Sequence, residues 1–390
     1  MKAHSVLRAS SLCLLSMIVA LAGCGIAGLT DRDPPSIQPA ARPEPDSDQV
    51  PQRPLPSRTV GSATTPLLTE AGDETAWSDL VITEYSHENE PWAADLMLSL
   101  LRSPHRNDDI LQSVPMDSSL DYVNIVDGRR VSYQPTDPVI DVWFFGGSTM
   151  YGVGQRDHQT IPSVVARLAE LDGIAIRPMN FGVSADVNWQ ATERLTHAVG
   201  GGLPNPDLVI FYDGTNDTGL GVQRVKAGDV DFDWVRWLPV SEEQRDAFAA
   251  NTEVAAIADE DRRAFEIRHA AEQYGRGVEL SRSIAAAWEF DIRHFWQPFL
   301  TTKVPSPADD PLFRRLNMDP TGLDQRQQVR ETLQASGTDA IDVSDVFDDV
   351  GVPVYFDSSH TNEFGAWLVA ERLYEHLESD IQRLATEKVN

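Results

Sequence analysis

The sequence has two cysteines in 390 residues, Cys13 and Cys24, and both lie close to its start. Neither a disulfide framework nor a cysteine-based metal site can be built from them. Basic side chains are scarce too. Lys and Arg number 32 against 60 Asp and Glu, the net charge is −28, and the lysines are Lys2, Lys226, Lys303 and Lys388 alone. Such a surface repels phosphate backbones and anionic headgroups, which excludes nucleic acid as a partner and a basic patch as a membrane anchor. Two familiar motifs are missing as well. Met150 stands where a G-x-S-x-G elbow would need its last glycine, and no Gly-Lys-Ser/Thr follows the glycines from 146 to 154. There is no internal repeat. What is present is an apolar share of 41% with 9 Trp and 14 Phe, ample for a core. The length suits one large domain with extensions, or two smaller ones.

The chain opens with Lys2 and Arg8, an apolar run from Leu12 to Leu21, and then Ala22-Gly23-Cys24. A basic start, a short apolar stretch and small residues read as a secretory signal over 1–23. Leu21-Ala22-Gly23-Cys24 resembles the lipobox of bacterial lipoproteins, which implies acylation of Cys24 and attachment to the extracytoplasmic side of a cell membrane or envelope. Loss of residues 1–23 removes Lys2, Arg8 and no acid, moving the charge from −28 to −30. Residues 24–75 carry Pro34-Pro35, Arg42-Pro43-Glu44-Pro45-Asp46 and Pro51-Gln52-Arg53-Pro54 with no apolar period. Frequent proline predicts an extended tether there, with a globular body over 76–390.

In that body a helix is expected over 92–102, followed by a hairpin around Asp127-Gly128. Strands over 139–145, 174–181, 208–212, 292–296 and 340–343 alternate with helices over 161–171, 189–199, 325–335 and 363–384. Residues 218–289 read as an acidic insertion, helical over 242–274. Val-, Ile- and Phe-rich runs separated by amphipathic helices predict α/β architecture: a doubly wound, parallel five-stranded sheet with helices on both faces.

Open parallel sheets place ligands at the carboxyl ends of their strands. Gly146-Gly147-Ser148-Thr149 follows the first strand, Asn180-Phe181-Gly182 the second, and Gly214-Thr215-Asn216-Asp217 the third, while Asp357-Ser358-Ser359-His360 precedes the last helix. Taken singly, each has an ordinary explanation: Ser148 as a helix cap, Gly182 as a turn, Asn216 or Asp217 as loop or cap residues, Asp357 and His360 as a surface pair or metal donors. Their joint placement favours one site. His158, His197, His269 and His376 have no partner at metal-ligand spacing. Trp234, Trp237, Trp288 and Trp296 suit either a substrate wall or core packing.

The four segments, in this order, resemble the blocks of the SGNH hydrolase superfamily, the GDSL esterase/lipase family, over about residues 120–386. The resemblance implies the SGNH (flavodoxin-like) fold and a serine esterase needing no metal or cofactor. Gly147 departs from the family's Asp. Carried over block by block, Ser148 is the nucleophile, His360 the general base and Asp357 its orienting carboxylate. The N–H groups of Ser148 and Gly182 with the Asn216 amide form the oxyanion hole. The expected substrate is an acyl ester, O-acetyl on an envelope or extracellular glycan being the leading choice. Transfer of the acyl group to a glycan acceptor and a non-catalytic binding module that keeps the fold are the alternatives.

Overall fold

The computed structural model of the chain describes residues 96, 99–100, 102–108, 111–218, 259–318 and 325–389. The signal segment 1–23, Cys24, the tether 24–75 and insertion residues 219–258, with Trp234 and Trp237, lie outside the described residues. Of the helix expected over 92–102, Leu96, Ser99, Leu100 and Arg102 are described and helical.

A first hairpin pairs β1 (His105–Asp108) with β2 (Gln112–Pro115). A second pairs β3 (Ile125–Val126) with β4 (Arg129–Arg130). Its turn residues, Asp127 and Gly128, have φ of 52° and 70°. Two consecutive left-handed residues match the twist of the flanking strands, which is why Asp-Gly was a hairpin signal. Then come β5 (Ile140–Gly146), α1 (Ser148–Tyr151), α2 (Ile161–Leu171), β6 (Ile176–Asn180), α3 (Asn188–Gly200) and β7 (Leu208–Asp213). After α4 (Asp259–Trp288) follow β8 (Asp291–Trp296), α5 (Asp310–Leu316), α6 (Gln325–Ser336), β9 (Ile341–Asp342) and α7 (Glu363–Val389).

Among the described residues the main sheet runs β3-β4-β6-β5-β7-β8-β9. From β6 to β9 all pairings are parallel, in the flavodoxin-like order expected. The sheet is mixed rather than five-stranded and all parallel, because β4 adds the hairpin antiparallel to β6 through Arg130 and Asn180. A single residue pair makes that junction, too little to leave a pattern in the sequence.

Both faces of the sheet are covered. Trp143 and Phe145 of β5, Val209 and Phe211 of β7, and Ile292 of β8 form one core with Ala191, Leu195 and Val199 of α3 and Ala285 of α4. Val142, Phe144, Leu208 and Ile210, pointing the other way by strand alternation, are fully buried too. On that side α2 packs on α7. Every residue of β7 is buried, which is why it reads as an unbroken apolar run.

The acidic stretch 218–289 needs correction. Its second half is α4, the crossover between β7 and β8, which places Ile267, Ala270, Ala271, Tyr274 and Val278 in a core with Trp296 and Phe299. The helix also continues past Tyr274 through Gly275 and Gly277, residues that lower helix propensity. A Cβ on Gly277 would lie 1.9 Å from Asn188 Oδ1. Close approach to α3 demands the glycine, and packing outweighs its propensity cost. Of the tryptophans in question, Trp296 is buried whereas Trp288 is 42% exposed.

Inside the face covered by α3 and α4 lies a buried histidine. His294 of β8 stacks on Phe211 at 4.8 Å and its Nε2 lies 2.8 Å from Ser281 Oγ. Burial pushes its pKa down to about 3. The folded state therefore holds it neutral, while the unfolded chain takes up a proton below its ordinary 6.5. Stability attributable to this residue is complete above pH 6.5 and falls as pH drops toward 3. His294→Gln is expected to flatten the loss of stability between pH 6 and pH 4 by up to about 1.4 kcal/mol per pH unit, read from urea midpoints across pH.

Candidate active site

Ser148 opens α1 directly after β5, so the turn between strand and helix fixes its position. Crowding sets that turn. A Cβ on Gly146 would lie 2.2 Å from the Tyr212 carbonyl oxygen of the neighbouring strand. On Gly147 it would lie 2.5 Å from Asn216 Nδ2 and 3.1 Å from the Asp186 carbonyl oxygen. Gly147 itself has φ −82°, open to any residue, so space and not backbone conformation selects glycine there. The far end of α1 is held by Arg130, whose Nη1 donates to the carbonyls of Tyr151 at 2.9 Å and Gly152 at 2.6 Å.

His360 and Asp357 share a tight turn bounded by the Tyr355–Thr361 bridge. Asp357 Oδ1 accepts the N–H groups of Ser359 at 2.8 Å and His360 at 2.7 Å, while Oδ2 lies 2.6 Å from His360 Nδ1. The other ring nitrogen, Nε2, lies 2.7 Å from Ser148 Oγ. Burial pushes the Asp357 carboxyl up, but the His360 charge and these hydrogen bonds outweigh it and hold the group below its ordinary value. It is therefore ionised at neutral pH. The Phe356 ring stacks on the imidazole at 5.6 Å and 13°. With side chains 21% and 38% exposed, His360 and Asp357 stand at the surface, within reach of a ligand.

The turn is tied to the nucleophile loop as well. Arg156 donates to the fully buried Glu363 carboxylate from Nε at 2.8 Å and Nη2 at 2.7 Å, and Gln155 Nε2 reaches the Thr361 carbonyl at 2.6 Å. Across the site, Thr149 donates to Gln297 Oε1 at 3.1 Å, and Gln297 donates onward to Thr215. One buried amide at the end of β8 thus links the residue after Ser148 to the residue before Asn216.

Asn216 Nδ2 donates one hydrogen to the Asp186 carbonyl at 2.8 Å and stands 2.5 Å from where a Gly147 Cβ would lie. Gly182 does not serve as expected. Its N–H donates to Asn180 Oδ1 at 2.9 Å, in the interior, and is committed there. The glycine has another purpose, since a Cβ on it would lie 2.4 Å from the Tyr151 nitrogen. Ala185, which sequence reasoning missed, is exposed in the same loop beside Asp186 with φ 69°, and its N–H has no hydrogen bond among the described residues. An alanine carries no sign of left-handed backbone, for which Gly or Asn is the usual marker. The surviving chemistry is that of an activated hydroxyl: a serine hydrogen-bonded to an imidazole whose far nitrogen faces a carboxylate.

Gly147→Ala is expected to lower the thermal midpoint, because its Cβ would stand 2.5 Å from Asn216 Nδ2 and 3.1 Å from the Asp186 carbonyl oxygen. It should also displace the Asn216 amide, lowering turnover of an ester substrate by about 10²-fold.

No family model and no curated protein matches the chain. Solved structures do. An acetyl xylan esterase, AlAXEase, is 15% identical with TM-score 0.36, covering 61% of this chain and 100% of its own. Axe2, an acetylxylan esterase from Geobacillus stearothermophilus, is 16% identical with TM-score 0.34, covering 61% and 94%. The psychrotrophic esterase EstA from Pseudoalteromonas sp. is 10% identical with TM-score 0.34, covering 62% and 98%. Likeness at this level assigns no activity; the hydrogen-bonded order Asp357–His360–Ser148 at the carboxyl end of β5 is the feature from which a function is argued.

Proposed function

We propose that this chain is a serine esterase of the SGNH type that cleaves acyl esters through Ser148, His360 and Asp357. The observation that carries the reading is the pair of contacts on one imidazole, 2.7 Å to Ser148 Oγ and 2.6 Å to Asp357 Oδ2. Ser148 Oγ attacks the ester carbonyl as His360 Nε2 takes its proton. Asp357, ionised, keeps Nδ1 protonated and stabilises the imidazolium that forms. The proton returns to the leaving alcohol, and water activated by the same imidazole releases the acid from the acyl-serine.

The oxyanion is held by the Ser148 N–H, by the second hydrogen of Asn216 Nδ2 and by the Ala185 N–H, which replaces Gly182 in this role. The first Asn216 hydrogen is spent on Asp186, and that bond fixes the amide plane. Such donors act because they are already oriented when charge develops.

The proposed substrate class rests on the proposed location and on analogy with the family. A signal ending in Leu21-Ala22-Gly23-Cys24 supports a protein exported and lipid-anchored through Cys24, held off the membrane by the proline-rich tether. Within its reach are envelope and extracellular glycans, and we take their O-acetyl groups as the substrate.

A fluorophosphonate probe is expected to label the wild-type chain and not Ser148→Ala, whose kcat on an aryl acetate should fall by about 10⁶-fold. Asn216→Ala should lose about 10²- to 10³-fold in kcat. Absence of both labelling and aryl-acetate hydrolysis between pH 6 and 9 would refute the esterase reading and favour a binding module. Incubation with acetylated glycans, with and without a sugar acceptor, separates free acetate from transferred acetyl.

A further inference from the structure

Arg194 of α3 lies outside every segment that carries the catalytic residues, yet it is one of the most fully bonded cations among the described residues. Its side chain and that of Asp186 are 7% and 4% exposed. Arg194 Nε donates to Asp186 Oδ2, and Nη2 donates to Asp186 Oδ1 at 3.0 Å, to the Leu111 carbonyl at 2.9 Å and to the Ser113 carbonyl at 2.7 Å. The last two carbonyls belong to the loop and second strand of the β1–β2 hairpin, which precedes the segment shared with the esterase family. One guanidinium therefore joins this N-terminal addition to the loop beside the nucleophile.

What makes the junction functional is the identity of its acceptor. The Asp186 side chain is gripped by Arg194, and the carbonyl of the same residue receives Asn216 Nδ2 at 2.8 Å. That carbonyl also stands 3.1 Å from where a Gly147 side chain would begin, one residue before Ser148. The Arg194 bonds pin the Asp186 side chain to its Cα, and the carbonyl on that same Cα receives the Asn216 amide. The backbone on either side is anchored separately, Asp186 N–H to the Val183 carbonyl at 3.2 Å and Val187 N–H to Gln190 Oε1 at 3.1 Å, and Arg194 adds the hold on the Asp186 side chain.

We propose that Arg194 is a positioning residue for the Asn216 amide, acting through Asp186 and braced by the β1–β2 hairpin. The inference rests on the esterase reading above and extends it to a part of the chain outside the family core. Lysine is not equivalent at this place. A guanidinium fork reaches a carboxylate and two carbonyls together, whereas an ammonium at the end of a flexible stem reaches them one at a time.

The test uses the full chain, aryl-acetate hydrolysis and active sites counted by the endpoint of fluorophosphonate labelling. Arg194→Lys is expected to lower kcat per labelled site by about 10²-fold, the scale of a displaced catalytic group, with KM changed by less than about twofold. In an Asn216→Ala background the same substitution should lower kcat by less than about threefold, because the group it positions is gone. An unchanged kcat in Arg194→Lys overturns the inference. So does an equal loss in both backgrounds, the signature of a merely structural role. If Arg194→Lys does not fold by circular dichroism, Asp186→Asn takes its place in the same cycle with the same expected outcomes. A wild-type chain that neither labels nor hydrolyses refutes the esterase reading first, and this inference with it.

Discussion

Steric crowding at the carboxyl end of β5 is the constraint on which the site depends. The strand lies between β6 and β7, and Gly146 brings its backbone against the Tyr212 carbonyl closer than any side chain would allow. At Gly147 the same crowding involves Asn216 and Asp186, so residues from the ends of three strands meet within one van der Waals layer. The doubly wound order opens a crevice here because the connections on either side of β5 leave toward opposite faces. Ser148 is then half-buried at the mouth of a turn whose neighbours are crowded around it.

Buried polar side chains transmit that order outward. Arg130 holds the carbonyls at the end of α1, Glu363 takes both arms of Arg156, and Gln297 bridges Thr149 and Thr215. Each joins segments far apart in sequence, and each is buried enough that loss of one partner would strand the other in a medium that penalises it. The site is therefore rigid through polar contacts as much as through its aromatic core, where Phe181, Phe145 and Phe211 stack in succession.

Much of this was legible in the sequence, for identifiable reasons. α2 matches its expected span over 161–171, because a Pro-containing start and an apolar stripe bound it. β5 and β7 are legible as apolar runs, and Ser148, His360 and Asp357 come together at the carboxyl end of the sheet. The antiparallel addition of β4 rests on one residue pair and was not legible. Neither was the continuation of α4 through Gly275 and Gly277, where close packing on Asn188 overrides propensity. Gly182 was misread because a glycine required for close approach to Tyr151 looks, in sequence, the same as one required for an open amide. Ala185 was invisible for the converse reason.

One feature of the histidine turn bears on how such a chain can diverge. Asp357 uses Oδ1 to fold the turn and Oδ2 to orient the ring. Its shape and its chemistry are carried by a single carboxylate of fixed length. A longer acid could reach the imidazole only by releasing the backbone, and an amide could satisfy the backbone while failing the imidazolium. An inactive descendant would be expected to lose the turn and the triad in the same mutational step.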